Sequence, residues 1–188
     1  MPEICTLDAD AFLLGSDLRL TPRNLEKWGV SEEKAARCAR LGKHDTVTPL
    51  PGGTVETFPS TDEGVAFLVT ADGQAVFHAG DLNWWHWEGE DVGWNRNMEV
   101  NFKRYTEPLR GRRMDIAMLP LDPRLGEDGF RGPKYFLELA DVRRFLPMHQ
   151  WGDFGFTEKF LAQYPAFTAR TVPVSRVGQD FTFEEEDV

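Results

Sequence analysis

The sequence predicts one mixed α/β (α+β) domain over residues 1–188, with helices on the faces of a β-sheet. Its 188 residues suffice for one ordinary domain, which buries roughly 70% of the surface that the unfolded chain exposes. Hydrophobic residues make up 41% and aromatic residues 12%, which excludes a disordered or fibrous chain. Strand patterns cluster between residues 45 and 78, and helical and strand patterns alternate afterwards, as in a layered domain.

The first forty residues predict one strand and one helix. The apolar run at 11–14 predicts a buried strand, because Gly15-Ser16-Asp17 stops it. Residues 21–41 predict a helix in which Ser31 caps a turn and Gly42 marks the C-terminal stop.

The middle of the chain predicts strands. Three or four short strand candidates lie there, at 45–50, 54–58, 64–70 and 74–79. The last two predict a hairpin, because Asp72-Gly73 permits the positive φ angles of a tight turn.

The rest of the chain predicts alternating elements. Helices are expected at 91–109, 131–141 and 157–164, the last capped by Thr157. Buried strands are expected at 116–121 and 143–149, and two terminal strands at 169–174 and 180–184. The acidic run at 184–187 predicts a solvated tail.

The charge balance argues against two classes of partner. With 21 Lys plus Arg and 31 Asp plus Glu, the formal net charge is −10, which disfavours nucleic acid and anionic membranes. We expect the basic cluster at 110–113 to complement a helix C-terminus. No run is long and apolar enough for a transmembrane helix, and no signal peptide is recognisable, so a cytoplasmic location with reduced Cys5 and Cys38 is expected.

Three predicted strands end in residues that could carry chemistry. Asp81 follows Gly80 after the strand at 74–79, Asp122 follows the strand at 116–121, and His149 ends the strand at 143–149. Each has a plainer interpretation, since Asp81 could cap a turn and Asp122 could form an Asp-Pro turn beside a surface Arg124. Alternatively, Asp122 and Arg124 contact a substrate and His149 coordinates a metal ion.

A cluster of tryptophans surrounds one histidine. His86 stands among Trp84, Trp85 and Trp87, and such amphipathic surface either lines a pocket or packs in the core. His86 could then serve as a proton donor or a surrogate metal ligand. His78 alternates with core positions and is expected to be structural.

The strand-end pattern resembles the metallo-β-lactamase superfamily of metal-dependent hydrolases. The resemblance covers roughly residues 54–183 and rests on Gly-Asp-Leu-Asn at 80–83, Trp-His-Trp at 85–87 and Asp-Pro-Arg-Leu-Gly at 122–126. It implies a four-layer αββα sandwich, here N-terminally incomplete.

The resemblance also implies a two-metal site, most typically of zinc, with manganese or iron as alternatives. Asp81 matches the metal-bridging Asp and His149 the final His of that site. The motif His-x-His-x-Asp-His does not occur in this sequence, and residues 1–4 resemble the residues that follow it. Asp62 stands where another histidine is usual, as a substitute ligand or as part of an acidic turn. Two ligands should not hold zinc tightly, so metal occupancy is doubtful.

These expectations combine into two functions. The first is metal-assisted hydrolysis of a small ester, phosphodiester, lactone or thioester, impaired by the missing motif, with His86 and Asp122 in catalysis and Trp84, Trp85, Trp87 and Arg124 at the substrate. The second is ligand binding without turnover in the aromatic pocket. A nuclease is disfavoured by the charge, and a homo-oligomer is expected because an incomplete sandwich leaves apolar surface uncovered.

Overall fold

The computed structural model describes residues 6–183. Cys5 and the acidic run at 184–187 lie outside the described residues. Cys38 is a free thiol. Within the described range no helix is long and apolar enough to cross a membrane.

A six-stranded sheet forms the centre of the fold. Its strands lie side by side in chain order and are β3 (Thr46–Leu50), β4 (Gly53–Pro59), β5 (Val65–Ala71), β6 (Gln74–His78), β7 (Arg113–Pro120) and β8 (Asp141–Met148). The first four are antiparallel neighbours, whereas β6, β7 and β8 run parallel. Asp72 and Gly73 have φ angles of 51° and 79°, so the hairpin expected between β5 and β6 is confirmed.

The N-terminal part differs from the expected single helix. The strand β1 (Phe12–Gly15) pairs in parallel with β2 (Cys38–Leu41), and the short helices α1 (Pro22–Trp28) and α2 (Glu32–Ala36) connect them. The helix expected over 21–41 is wrong because Gly29, with φ of 67°, ends α1. Ser31 does cap the next helix, accepting a bond from the Lys34 N–H. Gly42 follows a strand rather than a helix.

Three longer helices lie between or after the parallel strands. They are α3 (Val92–Thr106), α4 (Arg131–Leu139) and α5 (Phe156–Gln163). Asp91 caps α3 by accepting bonds from two backbone N–H groups. The sequence predicted that Thr157 caps α5, and this is wrong. Thr157 lies inside the helix, where its hydroxyl accepts a bond from Gln150.

The terminal strands expected at 169–174 and 180–184 do not form within the described residues. A 3₁₀ turn occupies Pro165–Arg170, and Thr171 makes a single isolated bridge to Phe145 of β8. Residue 184 lies outside the described range.

The two faces of the sheet differ in burial. Neighbouring strands align Leu68, Phe77, Ala117 and Phe145 on one face, and all four are at most 1% exposed. Aromatic side chains of α3, α4 and α5 join the same core. On the other face Val69 aligns with Val76 and Ile116, and Val69 is 39% exposed. The mixed α+β class is confirmed, and the helices cover one face of the large sheet.

Candidate functional site

The carboxyl ends of β6, β7 and β8 bring three side chains together. Asp81 Oδ1 lies 3.1 Å from His149 Nε2, and His149 Nδ1 lies 3.8 Å from Asp122 Oδ2. Parallel strands deliver their final residues to one edge of a sheet, where ligands of α/β proteins commonly bind. The structure therefore unites the three strand-end residues that the sequence singled out.

A turn that requires glycine places Asp81. Gly80 has a φ of 56°, and a Cβ at this residue would lie 3.3 Å from the backbone oxygen of Val65. The Gly80 N–H donates to His78 Nδ1 at 3.0 Å, and the Ala79 N–H donates to the Met118 carbonyl at 3.0 Å. These bonds fix the chain directly before Asp81, so Asp81 projects from a defined position.

The segment after β8 has an uncommon backbone. His149 and Trp151 have φ angles of 59° and 50°, which cost of order 1–2 kcal/mol each for residues with a side chain. Between them the buried Gln150 donates to the Thr157 hydroxyl at 2.6 Å. Backbone strain that the surroundings maintain is typical of functional sites.

Asp122 is a buried carboxylate neutralised by Arg124. Its side chain is 0% exposed, whereas that of Arg124 is 47% exposed. Arg124 Nη2 lies 2.6 Å from Asp122 Oδ2, Nε lies 2.9 Å from Oδ1, and Trp151 Nε1 donates to Oδ2 at 3.1 Å. Burial raises the pKa of Asp122, but the bonds from Arg124 and Trp151 outweigh it and leave that pKa below its usual value. Asp122 is therefore an ionised anchor for Arg124.

Aromatic rings form the walls of the site. Trp85 Nε1 donates to the Asp81 carbonyl at 3.0 Å, and the Trp85 ring lies 6.0 Å from His149. Trp87 stacks on Trp85 with centroids 6.3 Å apart. The Arg124 guanidinium lies 4.5 Å from the centre of the Trp151 ring and 5.5 Å from that of Trp87, within reach of cation–π attraction.

Trp84 packs elsewhere. Its ring contacts Phe102 and Tyr135 and lies beneath the Lys103 ammonium at 4.5 Å. It therefore packs against the helices, and the substrate-binding role expected for Trp84 stays a prediction.

His86 and Asp62 contact groups other than the Asp81–His149 pair. His86 Nε2 is 3.8 Å from Asp128 Oδ2, and His86 and Trp87 both line a cavity of about 1100 Å³. Asp62 is exposed after β4, where its N–H donates to the Ser60 hydroxyl. The roles expected for them as proton donor and metal ligand remain predictions.

The donors present do not make a complete metal centre. Zinc binds nitrogen and oxygen ligands at about 2.0–2.2 Å, so donors 3.1 Å apart could share one ion. Asp122 is already engaged by Arg124 and Trp151, and among residues 6–183 no cluster of three or more His, Cys, Asp or Glu side chains could hold a metal ion. The described residues fit two positions of a site that needs three or four protein ligands.

Trp151 is the residue that sequence reasoning missed. Its side chain is 68% exposed, yet it bonds Asp122, stacks with Arg124 and lies edge-on to His149 at 6.3 Å. The sequence did carry one signal for this role, which is the position of Trp151 directly after His149-Gln150 at the end of the strand and before Gly152.

Comparisons with known proteins connect the fold to metal-dependent enzymes. No family model and no curated protein sequence matches the chain. A metal-dependent hydrolase from Parabacteroides distasonis is 17% identical, with a TM-score of 0.52 over 86% of this chain and 76% of that one. Igni18, a metallo hydrolase from Ignicoccus hospitalis, is 16% identical, with a TM-score of 0.53 over 86% and 72%.

A larger enzyme contains a similar domain. CmlA, a diiron β-hydroxylase from Streptomyces venezuelae, is 8% identical, with a TM-score of 0.57 over 87% of this chain. The chain spans 38% of the length of CmlA. Together with the sheet topology, these similarities show that the chain has the metallo-β-lactamase fold.

Proposed function

We propose that the strand-end site binds a small polar molecule and that its metal-assisted hydrolytic activity is impaired. The observation that carries this proposal is the pair formed by Asp81 and His149, whose donor atoms converge, while the third strand-end residue, Asp122, is neutralised by Arg124. The ligand would be a small ester, phosphodiester, lactone or thioester, or a product of its hydrolysis.

The residues present suit binding. Asp81, whose side chain is 40% exposed, can accept hydrogen bonds from a ligand, and His149 is 25% exposed beside it. Trp151, which is 68% exposed, supplies a rigid apolar surface, and the guanidinium of Arg124 keeps unused donors at the rim. A few polar groups among aromatic walls are typical of small-molecule sites.

Hydrolysis would require more than this arrangement offers. A divalent ion with three protein ligands lowers the pKa of its bound water toward 7 and polarises the scissile group. Two donors bind such an ion weakly. We therefore assign no catalytic step to Asp81, His149, His86 or Asp122.

An ester hydrolysis assay tests the proposal. The untagged protein is mixed with p-nitrophenyl acetate, bis-p-nitrophenyl phosphate or a small lactone, with zinc or manganese added. We expect rates indistinguishable from those of Asp81→Asn. A metal-stimulated rate well above that of Asp81→Asn would overturn the claim of impairment.

The alternative is an active metal-dependent hydrolase. The 3.1 Å separation of Asp81 Oδ1 and His149 Nε2 favours it, because this spacing suits adjacent ligands of one ion. The additional ligands would then come from residues other than those described, and tight metal binding would support this function.

A further inference from the structure

A second cavity lies directly beside His149. It occupies about 690 Å³ between the end of β8 and the chain after Val172, within the size range of small-molecule pockets. Most of its lining is apolar, and we call it the β8 groove. Its lining includes the apolar residues Leu146, Pro147, Met148, Phe154, Val174, Val177 and Phe181, and Arg176 is a charged residue in the same lining.

The β8 groove is continuous with the strand-end site. His149 and Trp151 line it, and these residues also contact Asp81 and Asp122. Trp151 stays exposed although it is a large aromatic side chain, because Asp122 and Arg124 hold its ring from the other side. A fixed, exposed ring at the junction provides a surface on which an apolar group can pack.

The outer wall of the groove is also fixed. The Gln179 carboxamide oxygen accepts bonds from the Ser175 N–H and hydroxyl at 2.8 and 3.1 Å, which closes the chain into a compact loop. Val177 lies in this loop and is 88% exposed. Folding therefore leaves the apolar surface of Val177 in water. Contact with the apolar part of a ligand would bury that surface, which is favourable.

We propose that the β8 groove binds the aliphatic chain of a ligand whose polar end lies at Asp81 and His149. This inference rests on the proposed function and narrows its ligand to an amphiphilic acyl compound, such as a medium-chain ester. The charged lining of the other cavity, which includes Glu88, Glu90 and Arg96, does not suit such a chain because desolvating those groups is unfavourable.

Primary amides test the chain-length dependence. Octanamide and butanamide carry the same neutral head group, which resembles an ester and lacks a charge that Asp81 would repel. Each buried methylene raises affinity by about fourfold, so in a partly open groove octanamide should bind at least about tenfold more tightly by calorimetry. Equal affinities, or no binding of either amide at millimolar concentration, would overturn the inference.

Matched variants locate the chain. Val177→Asp should weaken octanamide binding at least about fivefold and leave butanamide unchanged. Val92→Asp is the control, since Val92 is 82% exposed and lines the 1100 Å³ cavity. If Val92→Asp has the larger effect, the chain lies in that cavity and the inference is wrong.

A third variant separates this inference from the proposed function. His149→Asn removes the imidazole but keeps a residue that tolerates positive φ. If it abolishes butanamide binding while Val177→Asp leaves octanamide unchanged, the polar site stands and the groove proposal fails. If octanamide responds to Val177→Asp alone, the groove stands and the proposed polar site fails.

Discussion

Asp81 Oδ1 and His149 Nε2 lie 3.1 Å apart although 68 positions separate them in the chain. Their strands β6 and β8 are not neighbours, because β7 lies between them. The contact therefore depends on both turns that follow these strands. The positive φ angles of Gly80 and His149 set those turns.

Substitution of Gly80 tests the first turn. Gly80→Ala should lower the free energy of unfolding by about 2 kcal/mol, because alanine at φ of 56° is strained and its Cβ would crowd the Val65 carbonyl. Gly73→Ala is the control, since Gly73 also has a positive φ but open space around its Cβ position. Urea denaturation measures both, and an equal or smaller loss for Gly80→Ala would contradict this account of the turn.

Removal of the Asp122 charge should destabilise the fold. Asp122→Asn removes the counter-charge of Arg124. Breaking an ion pair in which both groups are buried costs about 3–5 kcal/mol. Because Arg124 is half exposed, we expect a loss of about 2 kcal/mol in urea denaturation. Glu107→Gln, which breaks the exposed pair of Glu107 with Arg110, should leave the midpoint unchanged. A loss no larger than that control would show that Asp122 is not a structural anchor.

The same carboxylate predicts a dependence of stability on pH. The pKa of Asp122 is lower in the folded protein than in the unfolded chain, where it is about 3.9. The stability that its ionisation contributes is therefore complete above pH 3.9 and is lost as the pH falls through the folded-state pKa. The difference in free energy of unfolding between wild type and Asp122→Asn should shrink below about pH 4. A difference that stays constant from pH 7 to pH 3 would contradict this assignment.

The half-exposed sheet face predicts self-association. Val69, Val76 and Ile116 align on that face, and a two-fold pairing with a second copy would bury these apolar side chains on both subunits. The net charge of −10 opposes association at low salt. In sedimentation equilibrium we expect Val69→Lys to weaken association and Val92→Lys, a substitution outside this face, to leave it unchanged. A wild-type monomer at micromolar concentration in high salt would contradict this prediction.

Local patterns predicted much of the sheet and the positions of its strand-end residues. Short apolar runs marked β4 to β8, although β7 begins at Arg113, three residues before the predicted start. The Asp72-Gly73 turn predicted the β5–β6 hairpin, because both signals depend on neighbouring residues alone. The strand at Cys38–Leu41, inside the helix expected over 21–41, was missed for the opposite reason. Cys38–Leu41 forms a strand only through its pairing with Phe12–Gly15, a contact between distant segments.

Sequence patterns do not report which way a side chain points, and the residues that meet in the site depend on those directions. Trp84 and Trp85 are adjacent in sequence, yet Trp84 packs against Phe102 and Trp85 against His149. The role of Trp151 likewise arises from its bond to Asp122, 29 positions earlier. Such contacts follow from the packing of whole elements.

Metal analysis of the purified, untagged protein tests the central claim most directly. Cells are grown with zinc, manganese and iron, and the wild type is compared with the Asp81→Ala/His149→Ala double variant. Two donors should bind an ion only weakly, so we predict substoichiometric metal at the same level in both proteins. Near-stoichiometric metal in the wild type that the double variant lacks would contradict the account and establish a working metal centre.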